Sequence, residues 1–274
     1  MKPIHYIYII GTLTLLAACD SGDIPEKVYT VDETGYTVKL TAQVSGLSEW
    51  EGTGYTMAVA GFTADSKFAL MQRALPSAIA DGSPVSLVLS NVSSDVRNVE
   101  LVLTNSLRKR IVTLAAINMA DFADNATHDT IRLDLGDIDV SHFGVLQSGL
   151  FDRACIQCHG ANGRAAAGLD LTRGHALAAL VDRPSSRKEG YLRVESGNAE
   201  GSLLHLILNE GGENLLSHNH TEILSSQFKA NLEEMSSYID EWIDHLRPGE
   251  YPEPSPADKG KRRHVEPGMP LIPT

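Results

Sequence analysis

Cysteine is scarce in this chain of 274 residues: there are three, at positions 19, 155 and 158. A disulfide framework of the kind that staples small secreted domains is therefore excluded. Positive charge is also scarce. The formal net charge is −12, which argues against nucleic-acid binding. The one basic cluster, Lys259 to His264, lies in a Pro-rich stretch, residues 248–274, with little apolar content; that stretch is expected to be a disordered tail. No internal repeat is visible. No apolar run is long enough for an ordinary membrane-spanning helix: the longest, Ile4 to Ala18, has the length of a signal-peptide core.

That run ends in Leu16-Ala17-Ala18-Cys19 and turns polar at once from Asp20 to Asp23. The arrangement resembles the bacterial lipoprotein processing box. It implies cleavage after residue 18, acylation of Cys19 with palmitate-type chains, and a protein held on a membrane by lipid. The expected location is the bacterial cell envelope, on the inner or outer membrane, facing an extracytoplasmic compartment. Residues 1–18 then read as signal peptide and 19–35 as tether.

Strict alternation follows. In YTVKLTAQV, Tyr36, Val38, Leu40, Ala42 and Val44 share one face, and Thr37, Lys39, Thr41 and Gln43 the other, as in a half-buried strand. Similar runs recur at Tyr55–Phe62, Val85–Ser90, Val99–Thr104, Ile111–Ala116 and Ile131–Leu135. Six or seven strands at this spacing predict an antiparallel β-sandwich over residues 36–140. The period then changes. Leu146, Leu150, Ala154 and Cys158 fall four apart behind Ser141, a candidate N-cap. A closing helix is predicted after Asn231, with Glu234 as capping-box partner, an apolar stripe through Met235, Ile239, Trp242 and Leu246, and Pro248-Gly249 as the stop. The expected fold class is α+β in two domains, the sandwich followed by a mainly α domain at residues 141–247.

Cys155-Ile156-Gln157-Cys158-His159 carries the chemistry. Two thiols three positions apart on a helical turn face the same side, so they can add to the two vinyl groups of one haem, and His159 follows where an imidazole can ligand the iron. A zinc site would need about four ligands and would have to recruit His175, His205, His218 or His220. A redox dithiol would want a βαβ setting that the surrounding pattern lacks.

Beyond the motif, the stretch from Phe143 to Leu246 resembles the single-haem cytochrome c domains of class I type found in exported bacterial lipoproteins. The matching segments are FDRACIQCHG, AAAGLDLTRGHALAALVD, VESGNAEGSLLHLIL and YIDEWIDHL. The resemblance implies one covalent haem c, three helices around it, and single-electron transfer with redox partner proteins at the membrane rather than enzymatic turnover. Relatives usually supply a methionine from the loop before the closing helix. None lies between Cys158 and Asn231, and the loop here reads NLLSHNHT. Histidine is expected to replace it as sixth ligand, His220 first and His218 second, with Met235 third but better suited to core packing. Candidate contacts for the haem carboxylates are Arg153, Arg164, Arg173 and Arg193. The alternative function is a haem-based sensor or small-ligand-binding lipoprotein, in which the sixth position is weak or open.

Overall fold

Alternating burial becomes sheet. In β1 (Tyr36–Ser45) Val38, Leu40, Ala42 and Val44 are buried and Gln43 is exposed. β2 (Tyr55–Phe62), β4 (Ser83–Val92), β5 (Asn98–Asn105), β6 (Arg110–Asn118) and β7 (Thr130–Asp139) cover the other five expected strands, and β3 (Met71–Ala74) is an addition. The computed structural model describes residues 35–77, 79–122, 130–161, 165–211, 216, 218–249 and 251. The signal segment, Cys19, Arg164 and the basic tail cluster lie outside the described residues.

One sheet has the order β4-β1-β7 and the other β3-β2-β5-β6. The four-stranded sheet is antiparallel throughout. In the three-stranded sheet β1 runs antiparallel to β4 but parallel to β7, with Thr37 opposite Thr130 and an irregularity between Thr41 and Gln43. Val38, Leu40 and Val44 of the first sheet and Met57, Val59, Leu101 and Leu103 of the second belong to one apolar core.

Past the sheets, Ser141 caps α1 (His142–Leu146) by accepting the Gly144 N–H at 3.0 Å, as its position in the sequence predicts. The chain continues into a π-helical turn, Gln147–Phe151. Gly149 in that turn lies so close to β6 that a Cβ there would collide with Val112. α2 (Ala176–Leu180), α3 (Leu203–Glu210) and α4 (Thr221–Phe228) are short, and α5 (Leu232–His245) is the longest helix among the described residues. Leu146, Leu150, Leu208, Ile239 and Ile243 extend the same core that fills the space between the sheets. The described residues fall within a single compact unit.

The expected fold class is corrected on two counts. The architecture is mostly sheet, with few and short helices making up 29% of it, so residues 141–247 are not a mainly α cytochrome c domain. Long connections held by turns and isolated bridges, such as Val181 with Val194 and Pro184 with Leu192, occupy the space where longer helices were expected. The sheets are also not wholly antiparallel, because β7 returns alongside β1 in the same direction.

The closing helix begins where the sequence predicts, without the predicted capping box. The Asn231 side-chain amide donates to the Ile111 carbonyl at 2.7 Å, and Glu234 takes Lys109 at 2.6 Å and Lys67 at 3.3 Å. Tertiary partners on the β side outcompete the local cap. No helix among the described residues is long and apolar enough to cross a membrane.

Candidate functional site

The segment that carries the two thiols is a single tight turn. After Ala154 the chain forms a 3₁₀ turn over Cys155–Gln157, and the Cys158 and His159 N–H groups both donate to the Cys155 carbonyl, at 3.2 and 2.8 Å. Gly160 follows by necessity, since a Cβ there would sit 2.6 Å from the Ile156 carbonyl oxygen. The Ala166 N–H donates to Cys158 and the Leu171 N–H to His159, at 2.9 and 2.8 Å, fastening the next loop to this turn.

Cys155, Cys158 and His159 line a cavity of about 450 Å³, a size that suits a cofactor-scale ligand. Its walls are chiefly apolar, formed by Leu150, Leu169, Leu204, Ile207, Leu208 and Leu224. His218 and His220 also face it. The rings of His159 and His220 are 6.4 Å apart, centroid to centroid, and within 12° of parallel. Two imidazoles sharing one metal, each with a metal–nitrogen bond of ~2.0 Å and a further ~1.1 Å to the ring centre, would be separated by about 6.2 Å. The observed separation is of that size, with the two rings nearly parallel. A haem asks the protein for only those two donors. Among the described residues no group of three or more His, Cys, Asp or Glu is arranged to hold a bare metal ion.

Both histidines are set up as neutral donors. The His159 Nδ1 lies 3.0 Å from the Ala166 carbonyl oxygen, so Nδ1 carries the proton and Nε2 is left as the donor atom. Burial lowers the pKa of His159, and Arg193 and His218 lower it further against the Ala166 hydrogen bond. Burial likewise lowers that of His220, with His218 and His159 adding to it. His220 Nδ1 is buried without a hydrogen-bond partner. His220 is placed by its own N–H, which donates to the Gly211 carbonyl at 2.8 Å just before α4 begins. Gly211 sits at φ +66°, and a Cβ on it would run into Thr221. Glycine is what allows α3 to end and His220 to approach.

Burial pushes the Cys155 thiol up to about 12, with the Cys158 charge a smaller contribution. Redox-active dithiols depend on a depressed thiol pKa; here the shift runs the other way.

Other residues singled out in the sequence lie elsewhere. Met235 is fully buried in the common core and is absent from the cavity wall. The His205 ring reaches Asp240 at 2.8 Å, joining α3 to α5. His175 is near Thr172 and Asp170. Arg153 donates to the Thr113 carbonyl on β6, and Arg173 pairs with Asp152 and Ser148. Of the expected arginines only Arg193 lines the cavity among the described residues, held by donation to the Ala179 carbonyl at 2.8 Å. Ser185, Ser186 and Arg187 complete this polar corner. Sequence reasoning missed those three, and the Arg-Pro-Ser-Ser-Arg run from residue 183 was the available signal. Trp242 and Tyr238 pack α5 against α1: the Tyr238 hydroxyl donates to the His142 carbonyl and Trp242 lies 5.7 Å from Phe143.

Set against known protein families, curated proteins and solved structures, the chain matches none of them.

Proposed function

We propose that this chain is an envelope lipoprotein that carries one covalently attached haem c and transfers single electrons outside the cytoplasm. The observation that carries this reading is the apolar cavity with Cys155, Cys158 and His159 in its wall and the His220 ring 6.4 Å from that of His159.

Each residue then has a defined task. Cys155 and Cys158 would hold the group as thioethers, each S–H adding across one vinyl group. His159 and His220 would hold the iron through their ring nitrogens, and Ala166 keeps the His159 proton on Nδ1. The haem supplies one-electron chemistry at its iron. Leucine and isoleucine side chains exclude water from the site, and Arg193, Arg187, Ser185 and Ser186 offer donors to the carboxylates at its polar corner. Two imidazoles on the iron would leave no open position for a substrate, which favours electron transfer over ligand sensing. Imidazole in place of methionine also gives a lower potential. Partners are other redox proteins at the membrane surface.

The test is haem staining after denaturation, together with the reduced-minus-oxidised spectrum of the exported protein. Staining in the wild type and its loss in Cys155→Ala/Cys158→Ala is the expected result. Haem that survives denaturation in the double variant, or a wild type that never stains, overturns the reading.

A further inference from the structure

Among the described residues the exposed large hydrophobics are Phe68, Leu70 and Leu107, at 49%, 50% and 70% exposure, and all three lie on one corner of the four-stranded sheet. The connection between β2 and β3 folds back on the β5–β6 turn. Phe68 bridges Lys109, the Ala69 N–H donates to Arg108 at 2.9 Å, and the Arg110 N–H donates to Lys67 at 2.8 Å. Extended backbone sends alternate side chains to opposite faces, and here the alternation is inverted in value: small Ala69 points inward onto Ala60, Phe62 and Val102, while Phe68 and Leu70 point out. Leu107 stands beside them on a turn that Asn105 fixes by accepting from the Leu107 and Lys109 N–H groups, both at 3.0 Å. These bonds tie the two connections together with the apolar side chains facing outward.

Its charge also runs against the rest of the chain. Residues 63–73 and 105–110 carry Lys67, Arg73, Arg108, Lys109 and Arg110 against the single carboxylate of Asp65, in a protein of net charge −12. Arg110 is buried against Glu100, and Lys67 and Lys109 share Glu234; Arg108 and Arg73 are exposed. Apolar tips beside the exposed guanidinium groups of Arg108 and Arg73 match the boundary between the headgroups and acyl chains of an anionic bilayer. The stretch from Cys19 to the start of β1 is 17 residues, enough at roughly 3.3–3.6 Å each to let the sheet reach the bilayer that holds its anchor.

We infer that the corner formed by Phe68, Leu70 and Leu107 with Arg108 docks on anionic lipid, giving the tethered protein a fixed orientation at the membrane. This rests on the lipoprotein reading. A bilayer is favoured over an acidic protein partner because the three exposed apolar side chains call for an apolar phase that an acidic surface does not offer.

The experiment uses the full chain with Leu107→Cys carrying a nitroxide, read as the difference from the chain without that substitution labelled in the same way. The lipoprotein is reconstituted into vesicles of phosphatidylethanolamine and phosphatidylglycerol in equal parts, and into phosphatidylcholine vesicles. Docking predicts a label shielded from a water-soluble nickel chelate and open to oxygen in the anionic vesicles. That shielding is lost in phosphatidylcholine and in Phe68→Ser/Leu70→Ser or Arg108→Glu. Protein that floats with vesicles while its label stays fully open to the chelate overturns the docking and leaves the anchor standing. Flotation that survives Cys19→Ser but fails in the patch variants keeps the docking and removes the anchor. Failure to float at all removes both.

Discussion

The imidazole rings of His159 and His220 lie 6.4 Å apart with their planes 12° from parallel, although 61 positions separate them in the chain. His159 comes from the turn that holds the thiols and His220 from the residue before α4, so the pair closes the cavity between two otherwise unrelated segments. His218 approaches His220 edge-on at 5.1 Å and is the neighbour able to compete for the same place.

Replacing His220 by alanine is expected to convert the ferric protein from low-spin to high-spin and to give the reduced protein carbon monoxide binding. His220→Met should keep the site six-coordinate and raise the midpoint potential by on the order of 0.1 V, a fraction of the roughly 0.8 V that axial ligands span. A low-spin spectrum that survives His220→Ala and is lost in His218→Ala would move the assignment to His218.

Gly211→Ala acts on the same ligand without touching the cavity wall. Its φ of +66° and the collision with Thr221 impose strain of about 1–3 kcal/mol. At about 2–4 °C per kcal/mol for a domain of this size, the melting temperature should fall by several degrees. The high-spin fraction should rise with it, because the carbonyl of Gly211 positions His220. Lost stability with an unchanged spectrum would separate the turn from the ligand.

Arg193 places a cation at the polar corner of the cavity. A nearby positive charge favours the reduced state, so Arg193→Gln should lower the midpoint potential by tens of millivolts, about 59 mV being a tenfold change for one electron. Arg153→Gln, whose guanidinium is engaged with Thr113, should leave the potential in place. Equal shifts in the two variants would reject the assignment.

Glu234 predicts an acid limb of stability. Burial raises its pKa, but hydrogen bonds from Lys109, its own backbone N–H and Lys67 outweigh burial and hold the carboxyl below its ordinary value. A carboxyl with a lowered folded pKa stabilises fully above its unfolded value of about 4.3 and loses that contribution as pH falls through the folded value. Chemical denaturation of wild type and Glu234→Gln across the acid range should show a wild-type advantage at neutral pH that disappears in acid. A difference that stays constant through that range would mean that the carboxylate does not link α5 to the β side.

Strands were legible in the sequence where one face is buried, as in Val38, Leu40, Ala42 and Val44 of β1. β3 was not, because Met71, Gln72, Arg73 and Ala74 are half-buried or exposed and carry no period-two signal. The parallel match of β7 to β1 left no trace either, since alternation fixes which face a strand buries and not the direction of its neighbour. The thiol pair and its histidine were readable from local spacing. His220 was reached by noticing which residue type the preceding loop lacks. The corner of Ser185, Ser186 and Arg187 lies on a loop without periodicity, and only the tertiary fold brings it to the cavity. Glu234 misled because a capping box is a local pattern, and its carboxylate found two lysines from distant strands and loops.

The parallel match of β1 with β7 also bears on timing. Thr37 and Thr130 can meet only after the whole intervening chain has been delivered, and closing so long a loop makes sheet assembly slow beside the formation of a turn or a helix. The turn at Cys155 lies downstream of β7, and the π-turn just before it packs on β6 through Gly149 and Val112. A substitution that speeds β1–β7 closure would therefore speed assembly of the three-stranded sheet.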